Sequence, residues 1–292
     1  MRYLLIVGLA LFPSILPSQD TARARALYEE GRLAMRQRKF DDAVKAFERS
    51  VELNPQRSEY HLWLGHGYTR QLATANFIRK GIIGRRIGAE YTRAVELDSG
   101  SIPAAEARVD FFLEAPGIAG GGADKAAAEA ERIRGLSAYH GGFAQAKIAE
   151  KAKNWQSAER EYRALVRAYP DSSRPVIALA VLLQNQSRYT EALAAIDERL
   201  AAAPNDTLAL YQLGRTAALS GQALERGEQA LHKFLALLGA GDTLSRANGH
   251  YRLGMIREKQ GEPARARAAY DSALALYPGY ADALAARKRL DK

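Results

Sequence analysis

Four segments of the chain repeat one spacing, in which a small residue is followed by Ala after 12 residues and by Pro after 24. The sets are Gly31, Ala43, Pro55; Ala146, Ala158, Pro170; Ala180, Ala192, Pro204; and Gly254, Ala266, Pro278. Pro170 and Pro204 lie 34 residues apart. A fixed period of that length restricts a chain to stacked copies of one supersecondary unit, each burying its apolar face against the next. The unit is helical. The small residue sits midway along a first helix and lets a second helix approach closely. The Ala holds the matching place on that second helix. Phe47, Tyr162, Ile196 and Tyr270 follow the Ala by four residues, on the same face, and fill the gap between repeats. The proline stops the second helix, because it has no N–H to donate and disfavours helix in the residue before it.

The first unit reads LYEEGRLAMRQRKFDDAVKAFERSVELNP from Leu27 to Pro55, and the last reads HYRLGMIREKQGEPARARAAYDSALALYP from His250 to Pro278. This pattern resembles the tetratricopeptide repeat, a helix–turn–helix unit of 34 residues. The clear repeats fall near 24–57, 139–172, 173–206 and 247–280. Three divergent ones fall near 58–101, 102–138 and 207–240. In the second repeat, Gly65 to Ser99 spans 34 residues, so about ten are inserted relative to the ruler. The third is two helical stretches joined by APGIAGGGAD, and in the sixth Arg226 stands where Ala is expected. YADALAARKRL, after Pro278, reads as a terminal helix with a polar face, which a repeat array needs to hide its last apolar edge. The resemblance implies an all-α solenoid, a right-handed superhelix of about seven helix pairs plus a C-terminal capping helix, covering residues 19–292.

Residues 1–18, MRYLLIVGLALFPSILPS, read as a secretory signal peptide: Arg2 is positive, Tyr3 to Leu16 is apolar, and Pro17-Ser18 precedes a polar Gln19-Asp20. The apolar run is shorter than the roughly 20 residues of a spanning helix. The expected location is therefore the bacterial periplasm or the outside. The chain has no cysteine, which excludes disulfides. The formal charge of +9 is uneven: Arg70, Arg79, Lys80, Arg85, Arg86 and Arg93 face Glu90 alone between residues 70 and 93. Export argues against a nucleic-acid partner for this charge.

No catalytic motif is present: there is no HExxH, no GxSxG and no closely spaced carboxylate pair with a basic partner. The run Gly117 to Gly122 lacks the Lys-Ser/Thr of a phosphate loop, since Ala123-Asp124-Lys125 follows, and it reads as a long turn. His61 and His66 are five residues apart, off a common helix face, so no metal or cofactor is expected.

The functional signal lies on the first helices, which in the resembled family line a concave groove. Aromatic or large apolar residues precede basic ones by four: Tyr28 with Arg32, Leu62 with His66, Phe143 with Lys147, Tyr211 with Arg215. Tyr251 holds the aromatic position of the last repeat. Tyr28, Arg32, His66, Phe143, Lys147, Tyr211, Arg215 and Tyr251 are thus the expected partner-binding residues, suited to an extended acidic peptide or a carboxylate terminus. The expected function is a non-catalytic scaffold that binds a protein or peptide in the cell envelope. The alternative is a membrane-surface assembly factor that uses the basic insertion at 70–93, and an enzyme of undescribed type is the remote one.

Overall fold

The computed structural model describes residues 19–73 and 75–291, so the expected signal peptide lies outside the described residues. The described residues form 15 α-helices and one short 3-10 turn, with no strand among them. The chain divides into two units, Met1–Ile148 and Ala149–Lys292.

In the first unit α1 (Gln19–Arg36) packs on α2 (Phe40–Leu53), α3 (Ser58–Leu72) on α4 (Phe77–Leu97), and α5 (Ile102–Glu114) on α6 (Ala123–Leu136). α7 (Ala138–Lys151) follows, with its residues up to Ile148 in this unit. The small residues of the ruler do what their spacing implies. A Cβ at Gly31 would stand 2.5 Å from the Phe47 ring, and one at Gly65 would stand 2.5 Å from the Tyr91 ring. The glycines are therefore the sockets into which second-helix rings fit, at a packing density that leaves no room for a methyl group.

The insertion of the second repeat lengthens one helix. α4 has 21 residues against 14 in α2 and in α6, an excess of about two turns, or ~10 Å. Ile83 and Ile87 are buried, whereas Ile82 is 47 % exposed. Asn76 caps the helix by accepting from the Arg79 N–H at 3.0 Å. The glycine-rich stretch after α5 forms the 3-10 turn Gly117–Ala119. Gly122 is the residue before α6, and Asp124 lies in that helix's first turn, where a carboxylate suits the helix dipole.

In the second unit α8 (Trp155–Ala168) precedes three helix pairs: α9 (Ser173–Asn185) with α10 (Tyr189–Ala202), α11 (Thr207–Ser220) with α12 (Leu224–Leu237), and α13 (Thr243–Lys259) with α14 (Pro263–Leu276). The last helix, α15 (Ala281–Arg289), sets Ala286 in a cluster with Ala266 and Tyr270. Gly254 is the socket for the Tyr270 ring at 2.3 Å, and Gly214 is the socket for Leu231 at 2.2 Å. The sixth repeat keeps the packing but slips the ruler by one residue. Gly227, not Arg226, backs onto the first helix, where a Cβ would meet that of Ala217 at 2.3 Å. The extra residue is absorbed in the turn, where Ala223 adopts a left-handed φ of 50°. Arg226 instead points outward to Asp197.

The turns share one device. The residue seven places after the small residue is left-handed in five repeats: Arg38 (φ 62°), Lys153 (φ 57°), Ser187 (φ 60°), Gly221 (φ 80°) and Gly261 (φ 77°). In the long second repeat the same place falls on Leu72, still inside α3.

Candidate functional site

The second unit gathers three of the expected residues on its first helices. Tyr211 and Arg215 project from α11 and Tyr251 from α13, and two residues that the spacing argument passes over, Arg252 of α13 and Tyr280 just before α15, join them. The Tyr251 ring lies 5.0 Å from that of Tyr280, and the Arg252 guanidinium sits 5.1 Å from the Tyr251 ring centre. Tyr211 packs on Phe234 at 5.3 Å. Burial, opposed in part by the positive Arg252, raises the Tyr280 hydroxyl to about 12.

Arg215 is held from behind by a buried polar network. Its guanidinium donates to Gln184 Oε1, and Gln184 is only 3 % exposed. Gln184 Nε2 donates to Thr216 Oγ1 at 2.7 Å and to Gln212 Oε1 at 3.1 Å, and Thr216 Oγ1 donates to the Gln212 carbonyl at 2.6 Å. Every member of this network is used, which fixes one geometry rather than several. Burial first, and the neighbouring Arg252 second, press Arg215 below the ordinary arginine value. An Arg stays charged regardless, so two cations are kept together. Among the described residues neither has a carboxylate partner, and the Arg252 Nε is buried with no hydrogen-bond acceptor. The arrangement offers planar N–H donors and tyrosine hydroxyls to an anion of carboxylate type.

The other five expected residues lie in the first unit. Tyr28 is 3 % exposed, its hydroxyl donates to Glu59, and its ring packs 5.0 Å from Tyr60. It is part of the core and shows no open face. Arg32 lies 5.1 Å from the Trp63 ring centre and 5.6 Å from that of Tyr28, with Glu29 3.7 Å away. His66 packs edge-on against Trp63 at 5.7 Å, and its Nδ1 is 2.9 Å from the Tyr91 hydroxyl. Burial, then Arg70, lowers the His66 pKa and favours the neutral ring. Trp63 thus joins Arg32 to His66. Phe143 is 9 % exposed and packs on Tyr139 at 5.1 Å, while Lys147 is paired with Asp110.

Trp63, Gln212 and Arg252 all stand two residues before the small residue of their repeat. That place is three residues before the basic position, on the same helix face. The signal was therefore present in the ruler, at i, i+3 beside i, i+4. Among the described residues no group of three His, Asp or Glu side chains is placed to hold a metal ion, and no helix is long and apolar enough to cross a membrane.

A family model described as tetratricopeptide repeat matches residues 24–57 and 247–280, and a second of the same description matches 143–207. No curated protein matches the chain. Among solved structures, a tetratricopeptide repeat protein from Parabacteroides merdae is similar at 15 % identity and a TM-score of 0.57, over 93 % of this chain and all of that one. Yeast Tom70 is similar at 14 % identity and a TM-score of 0.71, over 93 % of this chain but 54 % of its own length. At these identities the likeness is one of fold: all-α, built from helical repeats of this type.

Proposed function

The chain is a tetratricopeptide-repeat protein, and from that premise we propose that it is a non-catalytic scaffold of the cell envelope whose second unit captures a partner protein by a carboxylate. The fold is one of protein–protein interaction, which supports a protein or peptide partner. The observation that carries the finer reading is the pairing of Arg215 with Arg252 on one face, with no acid to neutralise either. A half-buried cation with no counter-charge is costly, and an incoming carboxylate offsets part of that cost. Tyr211, Tyr251 and Tyr280 around the two cations supply the aromatic surface in which interface energy concentrates. The envelope location rests on Arg2 and the apolar run that ends at Pro17-Ser18.

The test uses a library of extended peptides with free carboxy termini. It is run in parallel with the same library amidated and with Asp and Glu replaced by Asn and Gln. The natural chain should retain the acidic library, and Arg215→Gln with Arg252→Gln should weaken retention by roughly tenfold or more, since a charge-assisted hydrogen bond contributes about 1.5–3 kcal/mol. Equal retention of the amidated, uncharged library, or unchanged retention by the double variant with its helicity intact, would overturn the reading. For the location, the intact mass of the protein from an envelope fraction should lack the first residues. A soluble cytosolic protein that begins at Met1 would refute export.

A further inference from the structure

The two departures of the first unit from the repeat ruler meet at one place. The lengthened start of α4 and the glycine-rich turn after α5 form opposite walls of a cleft of about 840 Å³. α3 supplies His66, Thr69 and Leu72, and α5 supplies Phe111. The glycines of α4 show why the cleft opens. A Cβ at Gly88 would strike the Phe111 ring at 2.4 Å, one at Gly84 would only touch Ala119 at 3.7 Å, and one at Gly81 would meet nothing within 4 Å. α4 and α5 are therefore closed at Gly88 and part progressively towards the start of α4.

The floor is apolar in effect because its polar groups consume one another. Thr69 Oγ1 donates to the Gly65 carbonyl at 2.9 Å, so the Tyr91 hydroxyl 3.1 Å away donates to Thr69, and His66 Nδ1 donates to Tyr91. The mouth is different. Lys80 and Arg85 line it, and neither has an acidic partner among the described residues, whereas Arg86 and Arg93 on the same helix are paired with Glu48 and Glu96. The acids on the α5 wall are already engaged: Asp110 is held by Lys147, and Glu114 has an interaction of its own. Ile118, at the lip, is 94 % exposed.

We propose that this cleft binds a single-chain anionic amphiphile, a long-chain carboxylate, with the hydrocarbon inside and the head group at Lys80 and Arg85. The volume lies within the usual range of small-ligand pockets, roughly 300–1,000 Å³, which are mostly apolar with a few placed polar groups. Among the lining residues the cations without an acid are Lys80 and Arg85, both exposed, while His66, Thr69 and Tyr91 on the floor bond one another, so the charge pattern matches that ligand. The site is separate from Arg215 and Arg252 and does not depend on the reading given for them.

The experiment follows the fluorescence of a dansyl-labelled undecanoate on the full chain and its displacement by dodecanoate, dodecanol and hexanoate. Dodecanoate should displace it, and hexanoate should be weaker by roughly tenfold or more, because each buried methylene contributes to binding. Lys80→Glu with Arg85→Glu should weaken dodecanoate by roughly tenfold and leave dodecanol nearly unchanged. Gly84→Phe puts a ring on the cleft wall, where its Cβ makes only an ordinary contact with Ala119 at 3.7 Å, and should abolish displaceable binding with little change in the melting curve. Arg215→Gln with Arg252→Gln should bind the probe as the natural chain does. Binding by Gly84→Phe equal to the natural chain, or loss of dodecanol and dodecanoate in equal measure in the charge variant, would overturn the proposal. So would flotation with phosphatidylglycerol vesicles in the absence of dodecanoate binding, which would make the region a membrane-docking surface instead.

Discussion

The two units meet the same packing requirement with different materials. Both seat a ring in a glycine socket, but in the first Tyr28, Phe47, Tyr60, Trp63, His66 and Tyr91 run as a series of aromatic neighbours from α1 to α4. In the second, successive repeats are tied by ion pairs of one sequence spacing: Arg188 to Glu159, Arg226 to Asp197 and Arg257 to Glu228, each 29 residues apart. The difference bears on function. Where the packing between helices is kept, as it is in the sixth repeat despite the one-residue slip, the first helices hold polar side chains such as Arg215 and Arg252 without disturbing the frame. Where it is broken, the frame itself opens, and the cleft beside α4 is the result.

The largest expected effect breaks the aromatic side of this contrast. Phe47 is fully buried over Gly31, and Phe47→Ala should destabilise the first unit by about 3–5 kcal/mol. Hydrogen exchange of amides in α1 and α2 is the measurement, and protection that survives the change would mean that the ring does not hold the pair together. On the charged side, Arg257→Met leaves Glu228 without its guanidinium partner at 3.1 Å and should cost the second unit about 1–3 kcal/mol. Both groups of that pair are mostly buried, so added salt should recover little of the loss.

The contrast also has a pH signature of opposite sign. Glu159 is held below the usual carboxylate value chiefly by its hydrogen bond from Arg188. Burial pushes Asp206 and Glu228 upward, but Ser173 with Arg199, and Arg257 with Gln260, outweigh it, and both end below the usual value. A lowered folded pKa gives stability that is present above the unfolded value, roughly 4, and lost as pH falls through the folded value. In the first unit, burial disfavours the charged His61, yet hydrogen bonds to Glu90 at 2.6 Å and to the Pro55 carbonyl raise it overall. That stabilisation is full below the unfolded value of about 6.5 and is lost as pH rises through the folded one. His66, lowered by burial, works against His61. The clean comparison is therefore between the natural chain and His61→Gln. The variant should show less loss of α3 protection on raising pH above about 6.5, and an identical profile would remove His61 as the cause.

What the sequence made legible follows from what periodicity constrains. Gly31, Gly65 and Gly254 could be read because each must lie opposite a ring one helix away, and the spacing fixes that partner. The departure at Arg226 was visible but its cause was not, because the one extra residue is absorbed in the turn at the left-handed Ala223. Tyr28 and Phe143 match the first-helix pattern but are spent on the core, since that pattern does not separate a ring that faces a ligand from one that faces the next helix. Arg252 and Trp63 were recoverable from i, i+3 spacing. The Gln184 network was not, because glutamine carries no signal of burial until Thr216 and Gln212 are brought to it. The cleft depends on two irregular segments some thirty residues apart meeting across α5, which no local pattern encodes.

The smallest expected effect tests the one feature that both units share. Arg38 in the first unit, and Lys153 and Ser187 in the second, occupy the left-handed place that Gly221 and Gly261 fill in later repeats. A side chain there crowds the backbone, at about 1–2 kcal/mol per residue, and glycine does not. Glycine also loses more freedom on folding, by roughly 0.5–1 kcal/mol, so the net gain from Arg38→Gly or Ser187→Gly should be a few tenths to about 1 kcal/mol. Gly261→Ala should cost a similar amount, since it creates the strain where none exists. Thermal or urea unfolding of the three variants reads the effect. If all three shift in the same direction, the turn conformation is not what sets their stability. If Arg38→Gly gains and Ser187→Gly does not, the shared turn is under strain only in the unit built on rings.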